Sequence, residues 1–547
     1  MTKETSSPEG FTPEALVAGD IVVPARGWRF WAVFPSLCLM SMMCALDSTV
    51  LSTAMPTIVA DLHASSMYIW AINGYTLTFT AIQPLYGQTA DIFGRKRTIV
   101  TAITLFILGS GICGGTKTIE IMIMGRAIQG LGGGGLSILP AMVVCDLVPL
   151  RERQKYTGII YGAFAIGTFI GPVVGGVMVN HIGWRWVFWL NLPVAGLALL
   201  LVTIFMRLKV AASSSSISMW KRLARIDYLG NLLMIGAVTS VLIALAGTGS
   251  TGPRIQWGSW QTLIPLILGV LTLPIFLIFE NTSLCKNPMT PLRLFSSRTS
   301  TLAFLLTFLH GSLLYWAGYF IPVYFQAVLK ASPQQSGINT LAGAIPMVPF
   351  GILGGVVIAR TGYYRPNQIF GFALTSIALG CCSTLNQGSP TAVWVVLQIT
   401  LAMGAGIVLT ALLPAIQAPL PESDVATATA MWGFLQSLGF VCGAAVPSSI
   451  FENRFRALLY RISDAAVRED FQKGGAYEHA AKSYIASLHG PVQNQVITVF
   501  SESLKLIWEV GAGVAIFGFV MSFFLQDVEL REDLETEFGY ETQNEQA

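Results

Sequence analysis

The feature that most constrains this chain is a series of about fourteen apolar runs, each close to the length of a bilayer-crossing helix. Such a helix needs roughly 20 mostly apolar residues. Only 11% of the residues are charged and 53% are hydrophobic, whereas a soluble domain carries about 25% charged residues. We therefore expect an all-α polytopic membrane protein. The runs lie near residues 30–55, 67–89, 98–116, 119–144, 156–179, 185–206, 227–247, 259–279, 300–327, 338–359, 366–386, 391–416, 425–450 and 504–525.

Composition and spacing argue against several other classes of protein. The formal net charge is only +3, so a nucleic-acid partner is not indicated. The eight cysteines show no CxxC or Cys/His ligand spacing, and we expect small buried side chains, without a metal or another cofactor. The chain has no HExxH motif, and we expect no enzyme activity. The first run is too long for a signal peptide of about 7–15 apolar residues, so we expect it to remain as a span.

The distribution of cations predicts the orientation. Lys and Arg are concentrated in the loops after even-numbered runs, and short loops after odd-numbered runs carry few. The positive-inside rule then places both termini in the cytoplasm. The cationic segments are 95–97, 151–155, 207–225, 286–298 and 360–365.

The same pattern predicts a division into two six-helix bundles around an inserted helix pair. We expect a cytoplasmic tail, an N-terminal bundle, a linker that carries the pair at about 227–279, a C-terminal bundle that includes a long extracellular loop, and an acidic cytoplasmic tail. The respective ranges are 1–28, 29–206, 207–298, 299–525 with the loop at 452–503, and 526–547.

A weak internal repeat supports two halves of the same order and orientation. The stretch GQTADIFGRKR at 87–97 matches GVVIARTGYYR at 355–365, with Gly94 over Gly362. A parallel repeat of this kind occurs in one class of transporter. The second copy has Ala359 where the first has Asp91, so the halves differ in chemistry.

The first copy, 87–97, has the features of a cytoplasmic gating loop. Its glycines allow close backbone approach and a positive φ in a short turn. Asp91 is placed to accept hydrogen bonds from the N-terminus of another helix, in a contact that breaks and re-forms as two bundles rock. The alternative is a plain tight turn between spans. The candidate residues are Gly87, Asp91, Gly94, Arg95 and Lys96.

Two ionisable residues inside spans are candidates for proton coupling, because charges in a membrane are costly. Asp47 precedes Pro56 by nine positions, and Arg126 follows Thr118 by eight. At 1.5 Å per residue, both lie about 12–14 Å below the outer surface. The proton affinity of Asp47 would then depend on the distance of Arg126. The alternative is a structural ion pair that does not titrate during transport.

The stretch GTFIGPVVGG at 167–176 combines small residues with a proline. Gly167, Gly171 and Gly175 are four apart and share one helix face, which permits close packing in lipid. Pro172 removes a backbone hydrogen bond and bends the helix, and Gly176 ends the stretch. A tightly packed, bent span would limit leakage. The alternative is ordinary helix packing.

Several polar and aromatic residues in the runs are candidates for a central cavity. His310 is expected near the midplane, about 15 Å into its span, and Glu509 about one turn into the last. For each candidate the alternative is a packing role. They are Gln129, His310, Trp316, Tyr319, Gln326, Gln436 and Glu509.

Five stretches of the sequence together resemble motifs of the major facilitator superfamily. GQTADIFGRKR is similar to its signature loop, and LDSTVLSTAMPTI (46–58) resembles the first-span motif of its fourteen-span drug:proton antiporter branch. MGRAIQGLGGG (124–134), GTFIGPVVGG and WRWVFWLNLP (184–193) resemble motifs of the fourth, fifth and sixth spans. The second half, with YFIPVYFQAV (319–328), is less specific, and its likeness is to fungal efflux pumps.

This resemblance implies a proton-coupled antiporter that exports a small apolar or amphipathic molecule, such as a fungal secondary metabolite, a toxin or a drug. The implied partners are the bilayer, the substrate and protons, and we expect a monomer in the plasma membrane or alternatively the vacuolar membrane. A same-fold importer of siderophores or vacuolar basic amino acids remains open, as does a non-transporting sensor.

Overall fold

The computed structural model describes residues 28–62, 68–206, 225–248, 259–282, 290–474, 482–488 and 490–531, together with 221, 285, 288, 476 and 480. The predicted N-terminal tail, the first residues of the predicted linker and most of the predicted acidic tail lie outside these ranges. The described residues form helices and connecting turns without a β-strand. Their fourteen helices of at least 18 residues are α1 Trp28–Asp61, α2 Tyr68–Phe93, α3 Arg95–Gly115, α4 Ile119–Leu147, α5 Arg153–His181, α6 Arg185–Phe205 (broken at Leu190), α7 Tyr228–Thr248, α8 Trp260–Glu280, α9 Arg298–Val323, α10 Pro333–Thr361, α11 Arg365–Cys382, α12 Thr391–Gln417, α13 Val425–Leu458 and α14 Gly490–Ser522.

Eleven of these helices are long and apolar enough to cross a membrane, namely all except α2, α5 and α11. The remaining three are packed among the others: α2 against α4, α5 against α1, and α11 against α12 and α14. Helix α2 contains polar side chains such as Gln83 and Gln88. These side chains are buried within the protein and therefore do not face lipid. The expected all-α polytopic class is confirmed, and a number of spans near fourteen is consistent with these helices.

The long helices pack into two groups. In the first, α1 packs on α5, and α4 on α2 and α3; in the second, α9 packs on α13, and α12 on α10 and α11. Helices α7 and α8 pack on each other, and α7 also contacts α2 and α13. We call α1–α6 the N-half and α9–α14 the C-half. They meet mainly where α13 contacts α2 and α4 and where α5 contacts α10.

The turn between α2 and α3 is shorter than expected. Gly94 alone lies outside the two helices, with a φ of +88° that a side chain would disfavour. Arg95 and Lys96, expected in the turn, therefore form the start of α3. The repeat-related Gly362 also has a positive φ, +76°, where α10 ends before α11. The matched glycines thus share a positive φ at the end of a helix, but their ψ angles differ (152° and −3°) and three residues, 362–364, separate the second pair of helices.

The segment 452–503, expected to be an aqueous loop, is largely helical. Helix α13 continues to Leu458, and α14 begins at Gly490, well before the expected residue 504. Two short helices, Ala465–Gly474 and Lys482–Ser487, lie between them. The buried rings of Phe455, Phe471 and Phe500 pack together, with centroids 4.8–6.1 Å apart. The charges that suggested a loop lie on amphipathic helices with a small apolar core.

Candidate functional site

A buried acid–base pair lies in the middle of the N-half. Nη1 of Arg126 on α4 donates to Oδ2 of Asp47 on α1 at 2.7 Å. The other carboxylate oxygen, Oδ1, accepts from Nε2 of Gln129 at 2.7 Å and from Nδ2 of Asn191 at 3.0 Å. The exposed fractions of Asp47 and Arg126 are 2% each. All three partners of Asp47 are hydrogen-bond donors, and two of them are neutral amides.

The neighbours of this pair link five helices into one polar network. Ser110 on α3 accepts from Gln129 at 2.7 Å and from Asn191 at 3.3 Å. Arg126 also donates to Oε1 of Gln129 at 2.7 Å, and its guanidinium lies 4.2 Å above the ring of Tyr75 on α2. We call these six residues the Asp47 network. Because each charge has a partner, the network offsets the cost of burying two ions.

A second set of charged residues joins the two halves at one end of the helix bundles. The loop charges predict that this end is cytoplasmic, and we call it the inner end. Arg95 pairs with Asp91 at 2.6 Å and with Asp146 at 2.8 Å, within the N-half. The other oxygen of Asp91 accepts from Oγ1 of Thr427, in the first turn of α13, at 3.3 Å. The signature stretch therefore contacts the N-terminus of a C-half helix, through a hydroxyl group rather than a backbone N–H.

Arg153 also bridges the two halves. It donates to Glu422 at 2.5 Å and to Oε1 of Gln417 at 3.0 Å, both in the C-half, while it is 1% exposed. It also donates to the carbonyls of Cys145 and Val148 in its own half at 2.9 and 2.8 Å. We call the whole set the inner cluster, which comprises Asp91, Arg95, Asp146, Arg153, Gln417, Glu422 and Thr427.

Two further members of the predicted gating loop serve different contacts. A Cβ on Gly87 would lie only 2.7 Å from Cβ of Ala430, so this glycine permits the close approach of α2 and α13. Lys96 donates to the carbonyl of Thr203 on α6 at 2.8 Å. Gly87 thus lies between the halves, whereas Lys96 contacts only its own half.

The helix that carries GTFIGPVVGG, α5, packs closely on α1. A Cβ on Gly167 would lie 2.3 Å from the carbonyl oxygen of Met42, and one on Gly171 would lie 1.9 Å from Oγ1 of Thr49. Gly175 is buried, and nothing lies within 4 Å of a Cβ on Gly176. The side chain of Pro172 lies outside the described part of the chain. Close packing is therefore seen at Gly167 and Gly171, within one half.

The Gly167→Ala variant is expected to lose stability, because its methyl group would press on a backbone carbonyl that cannot move alone. Overpacking of this kind costs about 1–3 kcal/mol. Gly176→Ala is the matched control, since it makes the same change on the same helix into open space. The purified proteins are heated, and the fraction that remains folded is measured by size-exclusion chromatography. The temperature at which half of the protein is lost should fall for Gly167→Ala only. Equal midpoints would show that α1 and α5 can separate freely.

The remaining cavity candidates are dispersed. Of the seven, the Asp47 network includes Gln129. His310 contacts the carbonyl of Ala405 through Nε2 at 3.0 Å, and Trp316 donates to the carbonyl of Ile507 at 3.2 Å, both inside the C-half. Gln326 donates to Ser336, and Glu509 pairs with Lys505 at 3.9 Å on an exposed face. Tyr319 is 39% exposed, beside Tyr315, and Gln436 is half-buried on α13.

Sequence reasoning missed three members of the Asp47 network and most of the inner cluster. Asn191 lay within the stretch WRWVFWLNLP but was not singled out, and Tyr75 and Ser110 were not considered. Arg153 was noted only as a loop cation. Its partners Gln417 and Glu422 are 264 and 269 residues away, a distance that no local pattern reveals.

These observations define a polytopic helical membrane protein of two six-helix halves, with a buried ion pair in one half and polar contacts between the halves at one end. The family described as Major Facilitator Superfamily matches residues 37–444. The chain belongs to this superfamily and is a membrane transporter. The expected family is thus confirmed.

Several relatives of known name are fungal transporters. The chain is 43% identical over 516 residues to "Efflux pump FUS6" of Gibberella fujikuroi, covering 94% of this chain and 92% of the relative. It is 40% identical over 519 residues to the "Acurin A biosynthesis cluster MFS-type transporter" of Aspergillus aculeatus, covering 94% and 92%. The solved proton:xylose symporter XylE has a TM-score of 0.58 at 15% identity, over 92% of this chain and 98% of XylE, a likeness of fold alone.

Proposed function

We propose that this transporter is a proton-coupled antiporter that exports a small apolar or amphipathic molecule, such as a fungal secondary metabolite. The observation that carries the proposal is the Asp47–Arg126 pair, because a carboxylate that is 2% exposed and 2.7 Å from one guanidinium changes its proton affinity when that guanidinium moves. The names of the relatives, efflux pump and biosynthesis-cluster transporter, support the direction and the kind of substrate.

The proposed cycle uses both polar groups. With the inner cluster closed, as here, the carrier faces outward before proton uptake. Withdrawal of Arg126 lets Asp47 take a proton from outside as the substrate leaves. Opening of the inner cluster brings Arg126 back, so the proton departs into the cytoplasm and the substrate enters. Proton and substrate shift this equilibrium only through their different affinities for the two states.

The domain arrangement, the orientation and the location that we propose rest on the sequence. The bundles 29–206 and 299–525 move as the two rocking bodies, and the pair at about 227–279 connects them. Both termini face the cytoplasm. We propose the plasma membrane as the location of a monomer, with the vacuolar membrane as the alternative.

Flux in sealed proteoliposomes tests the proposal. Neutral fluorescent aromatic dyes are expected to accumulate in vesicles whose lumen is acidic and adjoins the outer face of the protein, and a protonophore should abolish the accumulation. Vesicles without protein provide the control. Accumulation only under the reversed gradient would indicate an importer, and equal signals with and without protein would refute transport of these compounds.

A further inference from the structure

Two aromatic residues meet between the halves, one from each. The ring centroids of Tyr161 on α5 and Trp432 on α13 are 6.4 Å apart, with an angle of 55° between the planes. Tyr161 lies eight residues after Arg153, and Trp432 lies seven after the start of α13. At 1.5 Å per residue, both are about 10–12 Å deeper than the inner cluster. A solute that enters from the inner end would reach this pair soon after the cluster opens.

Both residues bury a hydrogen-bond donor without a partner. The hydroxyl of Tyr161 and the indole N–H of Trp432 are inaccessible to solvent and have no hydrogen-bond acceptor among the residues that the structure describes. Trp432 as a whole is 3% exposed. Buried tyrosine and tryptophan normally satisfy these groups, because an unpaired buried donor is costly. Two such donors on opposing halves indicate a partner that is present in another state of the cycle.

The charged groups described above bear on the chemistry of that partner. Asp47 and Arg126 are paired with each other, and Arg153 is paired with Glu422. An ionic substrate would have to break one of these pairs. The aromatic pair itself offers two ring faces and two neutral donors, which match a flat neutral molecule with an acceptor oxygen.

We propose that Tyr161 and Trp432 form the inner recognition pair of the transporter, and that the substrate class is a neutral aromatic compound carrying a hydrogen-bond acceptor such as a carbonyl. When the halves part at the inner end, the rings separate, and the hydroxyl and the indole N–H donate to that acceptor. The proposal rests on the export function proposed above, since it names the class of molecule that is exported.

Binding to two probes tests the pair. Nile red is a neutral aromatic dye with a carbonyl acceptor, and pyrene is a neutral aromatic hydrocarbon without one. Binding of each probe to the protein in nanodiscs is measured by fluorescence, and the signal of nanodiscs without protein is subtracted. We expect Tyr161→Phe and Trp432→Phe each to raise the Kd for Nile red about fivefold to tenfold, because each variant loses one hydrogen bond. The Kd for pyrene should change less than about twofold in Tyr161→Phe, because the ring face is unchanged, and in Trp432→Phe it should rise less than the Kd for Nile red, because pyrene loses only stacking area. Tyr363→Phe and Trp260→Phe, at exposed positions, are the matched controls.

Three outcomes would overturn the proposal: no saturable binding of Nile red to the wild type, equal weakening for both probes, or unchanged affinity in both variants. Tyr161→Phe removes one oxygen atom only, so it keeps the test decisive if Trp432→Phe fails to fold. Binding is measured without a pH gradient, which separates this proposal from antiport. A wild type that binds Nile red through these donors but never accumulates it supports the pair and contradicts antiport. The reverse result leaves export standing without the pair.

Discussion

Proteoliposomes that contain the Asp47→Asn variant are expected to accumulate no dye under an imposed pH gradient, while they still bind it. An amide cannot gain or lose a proton in this pH range, so the gradient has nothing to act on. The fold should survive, because the Asn oxygen still accepts from Gln129 and Asn191, and Arg126 keeps Gln129 and the carbonyl of Ala71. The loss of a countercharge should lower the melting temperature. The measurement is dye fluorescence after vesicles with an acidic lumen are diluted into neutral buffer.

Asp61→Asn is the matched control for this variant. Asp61 lies on the same helix, at its exposed end, where it pairs with Arg185 at 3.1 Å. The same chemical change there should leave accumulation near the wild-type level. Gradient-driven accumulation by Asp47→Asn at the wild-type rate would exclude Asp47 from coupling and leave the ion pair with a structural role.

The opposite substitution separates folding from coupling. Arg126→Leu leaves Asp47 as a buried, uncompensated charge, and removal of one partner of such a pair costs about 3–5 kcal/mol. Asp47 then keeps only the neutral amide donors of Gln129 and Asn191, whereas Arg126 in Asp47→Asn keeps two acceptors and the face of a tyrosine ring, so we expect less folded protein from Arg126→Leu than from Asp47→Asn. The double variant Asp47→Asn, Arg126→Leu should recover much of the yield in size-exclusion chromatography without recovering accumulation. A stable single variant would show that Asp47 is protonated or solvated in the folded protein.

The positions of the helices were largely predictable, because hydropathy reports contact with lipid. The fold therefore followed the apolar runs closely, except at α14. There, the segment 490–503 has polar residues on one face, and its helix extends beyond an apolar run. The estimate of depth also placed Asp47 and Arg126 at the same level, and they lie in contact.

The composition of the polar groups was much less predictable. Depth fixes a residue along the membrane normal, but it does not say which way its helix is turned. Trp316 and Gln129 both have a polar group at membrane depth, yet Gln129 contacts Asp47 whereas Trp316 bonds to the carbonyl of Ile507 inside the C-half. Contacts between the halves, such as Arg153 with Glu422, depend on how two bundles dock. Local patterns in the sequence of one bundle do not predict which residues of the other bundle it contacts.

Replacing Arg153 by methionine is expected to open the inner end. The guanidinium can contact Glu422 and Gln417 only while the halves are together, whereas its bonds to the carbonyls of Cys145 and Val148 lie within the N-half and do not depend on contact between the halves. Methionine removes the bonds within the N-half from both states but the bonds between the halves only from the closed state, so the closed state loses more stability than the open one. Truncating one partner of a buried charge pair costs about 2–5 kcal/mol, and each 1.4 kcal/mol changes a population ratio about tenfold.

Cys145 reports this change directly. Its thiol is buried in the inner cluster, where it accepts from Nε2 of Gln417 at 3.3 Å, and the residue is 2% exposed. In a background where the other seven cysteines are replaced, a membrane-permeant maleimide should label Cys145 at least about tenfold faster in Arg153→Met. Lys155→Met is the matched control, since Lys155 is exposed and pairs with Glu152 in its own half. Faster labelling in Arg153→Met alone would mean that the contacts of Arg153 with the C-half stabilise the closed state relative to the open one. A residue with this effect acts as a gate. Equal rates in all three proteins would show that the cluster joins the halves without controlling access.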